Sequence, residues 1–346
     1  MGIKGKTAPW FIIFLALVII LFLANLWYGS VLIPWKDVLW VLTGSDDINE
    51  INKVIILDYR LPQAITAIAV GMALSIAGLI LQTVFRNPLA GPSVLGISSG
   101  ASLGVALVVF AGSLFQLELL NSAYIFREIS VVAAALIGSF LVLLIIIFIS
   151  TRISNVVTIL IIGIMIGYTV SAIVGVIQFF SRAEELHAYI LWGLGSFSKT
   201  SISQSVFLLC ASLLVTMVVF FYIKGLNALL LGDYYAKSVG VDVKQIQIIL
   251  IIIAGLLIAI GTVFTGPIAF VGLAIPHLAR YFFKTSNHGI LIPAVILFGI
   301  SLTLICNLIA KLPGYDTSLP INAVTSMVGA PIIIWVIVKR GKVKRA

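Results

Sequence analysis

The stretch "TVFRNPLAGPSVLGISSGASLG", residues 83–104, decides how this chain is read. It lies between two strongly apolar runs, yet it holds an arginine, an asparagine, two prolines and a string of small residues. Proline removes a backbone donor and glycine weakens a helix, so lipid-exposed backbone does not tolerate the combination. Non-helical backbone persists at membrane depth where protein buries it or water bathes it. The small residues Ala90, Gly91, Ser93, Gly96, Ser98, Ser99, Gly100, Ala101 and Gly104 permit close helix approach and offer hydroxyls. Two readings stay open: a plain turn followed by a tightly packed helix, or a turn that also lines a solute path.

The rest of the chain explains why such a break matters. Of its 346 residues, 61% are hydrophobic and only 10% charged, and the mean hydropathy is +1.22. A soluble domain carries roughly a quarter of its residues charged. The outer surface here must therefore face lipid, and the chain reads as an integral membrane protein. Cys210 and Cys306 lie in apolar runs with no CxxC pattern, and His187, His277 and His288 are scattered, so no metal site is expected. Lys4 and Lys6 before an apolar run imitate a signal peptide. The run, however, continues from Trp10 to Tyr28 and ends in "NLWYGS" without a small-x-small site, which reads as a retained first span.

A helix needs about 20 apolar residues to cross the hydrocarbon. Candidate runs lie near 10–28, 61–83, 95–113, 129–150, 156–180, 202–223, 246–264, 267–283, 289–310 and 321–338, ten in all. The expected fold class is thus an all-α membrane protein of ten transmembrane helices, a single domain over 1–346. Lysine and arginine mark the cytoplasmic side. With the N-terminus inside, fourteen of the 21 basic residues fall on inner segments and seven on outer ones, which puts both termini in the cytoplasm. The tail "KRGKVKRA" reads as an anchor at anionic lipid headgroups, not a nucleic-acid site.

"TVFRNPLAGPSVLGI" at 83–97 is echoed by "TVFTGPIAFVGLAI" at 262–275, after helices running in opposite directions. That suggests inverted halves, about 55–180 and 246–338, with a transport path where they meet. Two further breaks, "GPIAFVGLAIPHLAR" at 266–280 and "LPINAVTSMVGAP" at 319–331, make a plain structural bundle improbable. No Asp or Glu stands in mid-span, which counts against an ion-coupled carrier. No GxxxxGK[ST] loop is present either, so a driven process needs its energy from a partner. A self-sufficient carrier remains the rival reading; a membrane enzyme has no Ser-His-Asp, HExxH or paired-acid arrangement behind it. The cytoplasmic stretch "GLNALLLGDYYAKSVGVDVK", within 225–245, reads as two short helices broken at Gly232 and stopped at Gly240. Such an amphipathic knob suits either protein docking or a place in the headgroup layer.

Six ordered motifs carry a family resemblance: "RLPQ" (60–63), "GMALSIAGLILQ" (71–82), "RNPLAGPSVLGISSGA" (86–101), "LLLGDYYAKSVGV" (229–241), "GPIAFVGLAIPHLAR" (266–280) and "LPINAVTSMVGAP" (319–331). From about residue 55 to the C-terminus the chain resembles the FecCD family of ABC-importer permeases, which carry iron–siderophores, haem and vitamin B12. The resemblance implies a BtuC-like permease fold of ten helices in the bacterial cytoplasmic membrane. It also implies a second permease subunit, identical or paralogous, two cytoplasmic ABC ATPases that bind ATP and Mg, and an extracytoplasmic substrate-binding protein. This chain itself would hold no cofactor and perform no hydrolysis. Iron–siderophore is the first expectation for the solute, with haem or vitamin B12 as alternatives.

Carried over position by position, the resemblance assigns ATPase coupling to Leu231, Gly232, Asp233, Ala236, Lys237 and Gly240. It assigns binding-protein docking to Arg60 and Lys311, as opposite charges steer encounter. Gln82, Asn87 and Ser99 are expected on the path wall, and Asn155, Val156 and Val157 at the inner gate. The chain departs from the family pattern at Gln63 and Ser318, so docking charge is expected to be thinner or moved to neighbours such as Lys53; Asn322 stands in place of a common glycine.

Overall fold

The computed structural model describes residues 4–44, 49–110, 124–153, 155–311 and 318–343, and every regular element among them is helical. The first half holds α1 (Lys4–Trp27), α2 (Trp35–Thr43) and α3 (Glu50–Val54), then a π-turn (Ile55–Arg60) leading without interruption into α4 (Leu61–Val84). A 3₁₀ turn (Pro92–Leu95) precedes α5 (Ile97–Val109), followed by α6 (Tyr124–Arg152), α7 (Val156–Phe179) and α8 (Ala183–Gly193). The second half holds α9 (Ile202–Phe221), α10 (Ile223–Leu230), α11 (Asp233–Ser238), α12 (Val243–Thr265), α13 (Val271–Phe283), α14 (His288–Ala310) and α15 (Ile321–Val343).

Seven of these helices are long and apolar enough to cross a bilayer, α5 is a shorter apolar helix, and the apolar stretch of α15 is residues 321–336. The expected ten full-length spans are therefore not all present as helices of crossing length. The third and eighth runs shorten to α5 and α13, of 13 residues each. Hydropathy is continuous across both, but the backbone is not. Gly96 adopts φ 70° before α5, and Gly266 at φ 75° with Phe270 at φ 66° stand before α13. These left-handed residues leave no room for a helix to start earlier.

Helix α4 is the hub. Of its most apolar window, 89% is buried inside the protein, against 11% for α1. It packs against α9, α12, α13 and α14 because its sequence supplies small residues where backbones must meet. A Cβ at Gly78 would lie 1.7 Å from the Gly272 carbonyl oxygen of α13. Similarly, a Cβ at Gly104 of α5 would lie 2.0 Å from the Ala134 oxygen of α6. The small residues of the opening stretch thus serve close approach. Buried hydroxyls add polar links between helices: Thr66 shares a 2.7 Å hydrogen bond with Thr200, and Thr303 donates to the Ala67 carbonyl at 2.7 Å.

Contacts sort the helix ends into two sets. At the terminal end, Phe11 of α1 stacks on Phe283, Lys339 reaches Tyr281, Arg86 pairs with Asp233, and Asn227 meets Asn287. At the far end, residues 194–196, 265 and 319–322 bond to one another. Ser196 donates to Thr265, while Ile321 and Asn322 donate to Gly195 and Leu194. The Asn322 side chain accepts from Ala269 at 3.0 Å. Irregular backbone at this end is thereby satisfied within the protein, as a non-aqueous surround demands.

Candidate functional site

At the terminal end, residues 222–242 build a knob. Helix α10 buries Gly225, Leu226, Ala228 and Leu229 against the bundle. This face of the knob therefore meets protein and not the headgroup layer, while Leu230 stays exposed. The chain then turns at Gly232, whose φ of 109° and ψ of 159° suit glycine and no other residue. In α11 only Ala236 is buried, and its carbonyl accepts from Val241 at 2.9 Å, while Gly240, at φ 84°, closes the short helix. Asp242 caps α12 through Gln245 at 3.1 Å.

What remains outward mixes Lys237 and Ser238 with aromatic and apolar side chains. Leu231 is 65% exposed, Tyr234 93%, Tyr235 48% and Val239 54%. An exposed apolar patch amid polar residues marks a protein contact. Of the residues carried over for coupling, Leu231, Lys237 and Gly240 are exposed and Gly232 is half-buried. Ala236 is the buried pivot, and Asp233 is tied to Arg86 at the foot of α4. Tyr235 and Val239 were missed, although Leu231, Tyr235 and Val239 recur at four-residue steps.

Beneath the knob lies a polar cluster that sequence reading also missed. The Asn227 Oδ1 of α10 accepts from both the backbone N–H and the ring Nδ1–H of His288, each at 2.9 Å. The His288 Nε2 lies 2.9 Å from the Thr83 hydroxyl at the end of α4. Asn227 Nδ2 donates to Asn287 at 3.2 Å. The sequence signal was slight: single polar residues where apolar runs end.

The far end treats its charges differently. Arg60 is 4% and Lys311 8% exposed. The Arg60 guanidinium donates to the carbonyls of Leu26, Trp27 and Val31, and Lys311 Nζ donates to Asn25 O at 2.8 Å. Asn25 in turn donates to Leu21 and Leu304 and accepts from Asn307. These groups cap the C-terminus of α1, where carbonyls lack helical partners and the macrodipole favours cations. Both residues expected at the docking surface thus have their charge directed inward. Burial and the neighbouring Arg60 charge lower the Lys311 ammonium to about 7.

The path candidates do not converge. Gln82 is buried between α4 and α13, donating to Leu273 O at 3.3 Å and accepting from Arg280. Asn87 folds back in an Asx turn onto Leu89 N at 2.9 Å. Ser99, half-buried on α5, faces the α7 backbone at Gly167. Asn155 caps α7 through Val157 and Thr158, with Val156 half-buried and Val157 exposed beside it.

The chain is similar to known proteins over most of its length. The FecCD transport family profile matches residues 17–339. The hemin transport system permease of Yersinia pestis is 33% identical over 330 residues, covering 94% of each chain. The vitamin B12 import permease of Escherichia coli is 31% identical over 304 residues, covering 88% of this chain and 89% of that one. The molybdate import permease of Haemophilus influenzae is 30% identical over 302 residues, covering 86% and 84%. A solved transporter described as of metal-chelate type, in an inward-facing conformation, superposes with a TM-score of 0.82 at 27% identity, covering 96% and 99%. The chain belongs to the FecCD transport family and is a multi-pass permease of the ABC importer type.

Proposed function

We propose that this permease, paired with a second, imports a metal chelate across the cytoplasmic membrane, driven by two ABC ATPases of which one seats on the knob at residues 222–242. The observation that carries the reading is the exposure of Leu231, Tyr234, Tyr235 and Val239 on a glycine-jointed foot, at the end where the lysines and arginines collect. That end is cytoplasmic in this reading, and both termini with it. Among solutes an iron–siderophore stands first and haem or vitamin B12 second; the metal-chelate description of the solved neighbour supports that class.

The second permease is assigned to α7. Its exposed Val157, Ile161, Met165 and Tyr168 follow at steps of four, four and three, continuous with the gate candidates Asn155–Val157. Ser99, which faces Gly167 of α7, is assigned to a wall near that seam, while Gln82 and Asn87 lie away from it at the foot of α4. On the opposite face an extracytoplasmic binding protein docks. With Arg60 and Lys311 turned inward, the more accessible Lys53, beside Glu50, is assigned the steering role.

Reconstitution in liposomes tests the reading. The chain with its ATPase, ATP and loaded binding protein should accumulate radiolabelled ferric siderophore, and omission of the ATPase should abolish uptake. Uphill uptake by the chain alone along an ion gradient would sink it in favour of a secondary carrier. Uptake of molybdate in preference to any chelate would overturn the solute class alone.

A further inference from the structure

The knob is joined to the bundle by more than its apolar face. We propose that Thr83, Asn227 and His288 form a polar latch that makes α10, α4 and the start of α14 move as one unit, so that a push on the knob reaches the core. The inference rests on the knob being the ATPase contact.

The geometry is specific. A helix leaves its first backbone N–H groups without intrahelical partners. In α14 the cap residue Asn287 serves Gly289 at 2.8 Å. The N–H of His288 is served instead by Asn227, a side chain of the coupling helix 61 residues away. The same amide donates to the Asn287 side chain. The coupling helix thus completes the cap of α14. A tilt of α10 alone would strand a buried donor, which costs more than the bond itself is worth.

The ring extends the link to the hub. Asn227 Oδ1 can only accept, so Nδ1 of His288 carries the proton and Nε2 is left to accept from the Thr83 hydroxyl. His288 is fully buried and Thr83 is 1% exposed, so water does not compete for these bonds. The Thr83 hydroxyl also lies 2.8 Å from Leu79 O, one turn back on α4. A single proton serves one acceptor at a time. Closed, it binds His288; released, it returns to Leu79. The latch can therefore open without orphaning the hydroxyl, which suits an element that must break and re-form in each cycle.

The lower half of the knob lacks this depth. Asp233 of α11 reaches the bundle through Arg86, with both side chains at least 40% exposed. An exposed pair of that kind contributes little, because solvent screens it. Transmission is thus assigned to α10, and α11 with its tyrosines to contact.

The test uses the full transporter, with ATPase and binding protein, in liposomes. Thr83→Val removes the proton donor at nearly constant volume, and Asn227→Ala removes the cap. Each should still assemble and hydrolyse ATP, while solute moved per ATP falls roughly tenfold, within the range of ordinary coupling energies. Thr83→Ser should retain the wild-type ratio. Amide exchange at His288 should speed up in Asn227→Ala. A wild-type transport ratio in both Thr83→Val and Asn227→Ala would overturn the latch. Should Asn227→Ala fail to assemble, Asn227→Asp, which keeps the acceptor toward His288, must assemble and stay coupled; equal failure would make the role purely structural and overturn the proposal. Tyr234→Arg separates the two levels. If it leaves assembly and transport untouched, the ATPase contact itself is wrong; if it uncouples while Thr83→Val does not, only the latch falls.

Discussion

The two ends of the bundle use the same kinds of residue to opposite purpose. At the far end, Arg60, Lys311 and Asn25 turn inward, and the loops at 194–196, 265–269 and 319–322 satisfy one another's backbone. At the terminal end, Arg86 and Asp233 pair in the open, and tyrosines and leucines face outward from a jointed foot. Both ends expose apolar side chains, Leu32 at 85% at the far end among them, but only the terminal end carries them on a jointed foot. The far end directs its cations to its own carbonyls. An end whose cations are taken up internally fits a surface on which a partner alights. An end that displays Tyr234 at 93% exposure fits one on which a partner stays.

The contrast breaks most visibly at Gly232. Proline there cannot reach φ 109° and also deletes the hydrogen bond from Gly232 N to Leu229 O at 3.3 Å. Gly232→Pro should leave membrane insertion intact, since α9 and α12 are untouched. Uptake and ATPase association should be abolished, read by transport in vesicles and by co-purification of the ATPase. Normal uptake in this variant would leave the terminal end without its assigned role.

Much of this was legible in the residues. The breaks at 86–96 and 266–270 announce themselves by proline and glycine, and Gly100 and Gly104 foretell the tight α5–α6 seam. Three things were not legible. Hydropathy does not register φ, so it extends α5 and α13 through turns that in fact start them late. A cation at a helix end looks the same whether it points to water or to a neighbouring helix terminus. Nothing local in Arg60 reveals that the α1 carbonyls lie above it. The latch is hidden for a related reason: Thr83, Asn227 and His288 are each an unremarked polar residue until folding brings them within 2.9 Å.

The far end yields a smaller but measurable effect. Arg60→Met removes donors from the carbonyls of Leu26, Trp27 and Val31 while keeping an apolar stem of similar length. Loss of charge-assisted bonds of this type costs about 1.5–3 kcal/mol. The expected result is a lowered melting temperature in detergent and faster proteolysis within residues 28–34, with ATPase binding unchanged. Lysine should rescue poorly, because a point charge cannot span three carbonyls as the guanidinium fork does. An unaltered cleavage rate in Arg60→Met would mean that α1 is held by its apolar contacts alone.

Lys311 offers the subtlest handle, and its sign is opposite to that of a lysine in an ion pair. Burial, then the nearby Arg60 charge, lowers its ammonium from 10.5 to about 7 in the closed structure. If α1 detaches, the amine regains its ordinary value. Between those two limits the detached form binds a proton that the closed form lacks, so rising pH favours closure. Stability from this group is fully present above 10.5 and is lost as pH falls through 7. Neutral or charged, the amine can still donate to Asn25 O, so the change is graded and not a collapse. Protection of residues 25–27 from amide exchange, corrected for intrinsic rates, should therefore increase from pH 7 to pH 9 in the native chain and stay level in Lys311→Met. A native profile that falls over that interval would show the ammonium to be stabilised by its site, and the far end would then be held by its charge instead of in spite of it.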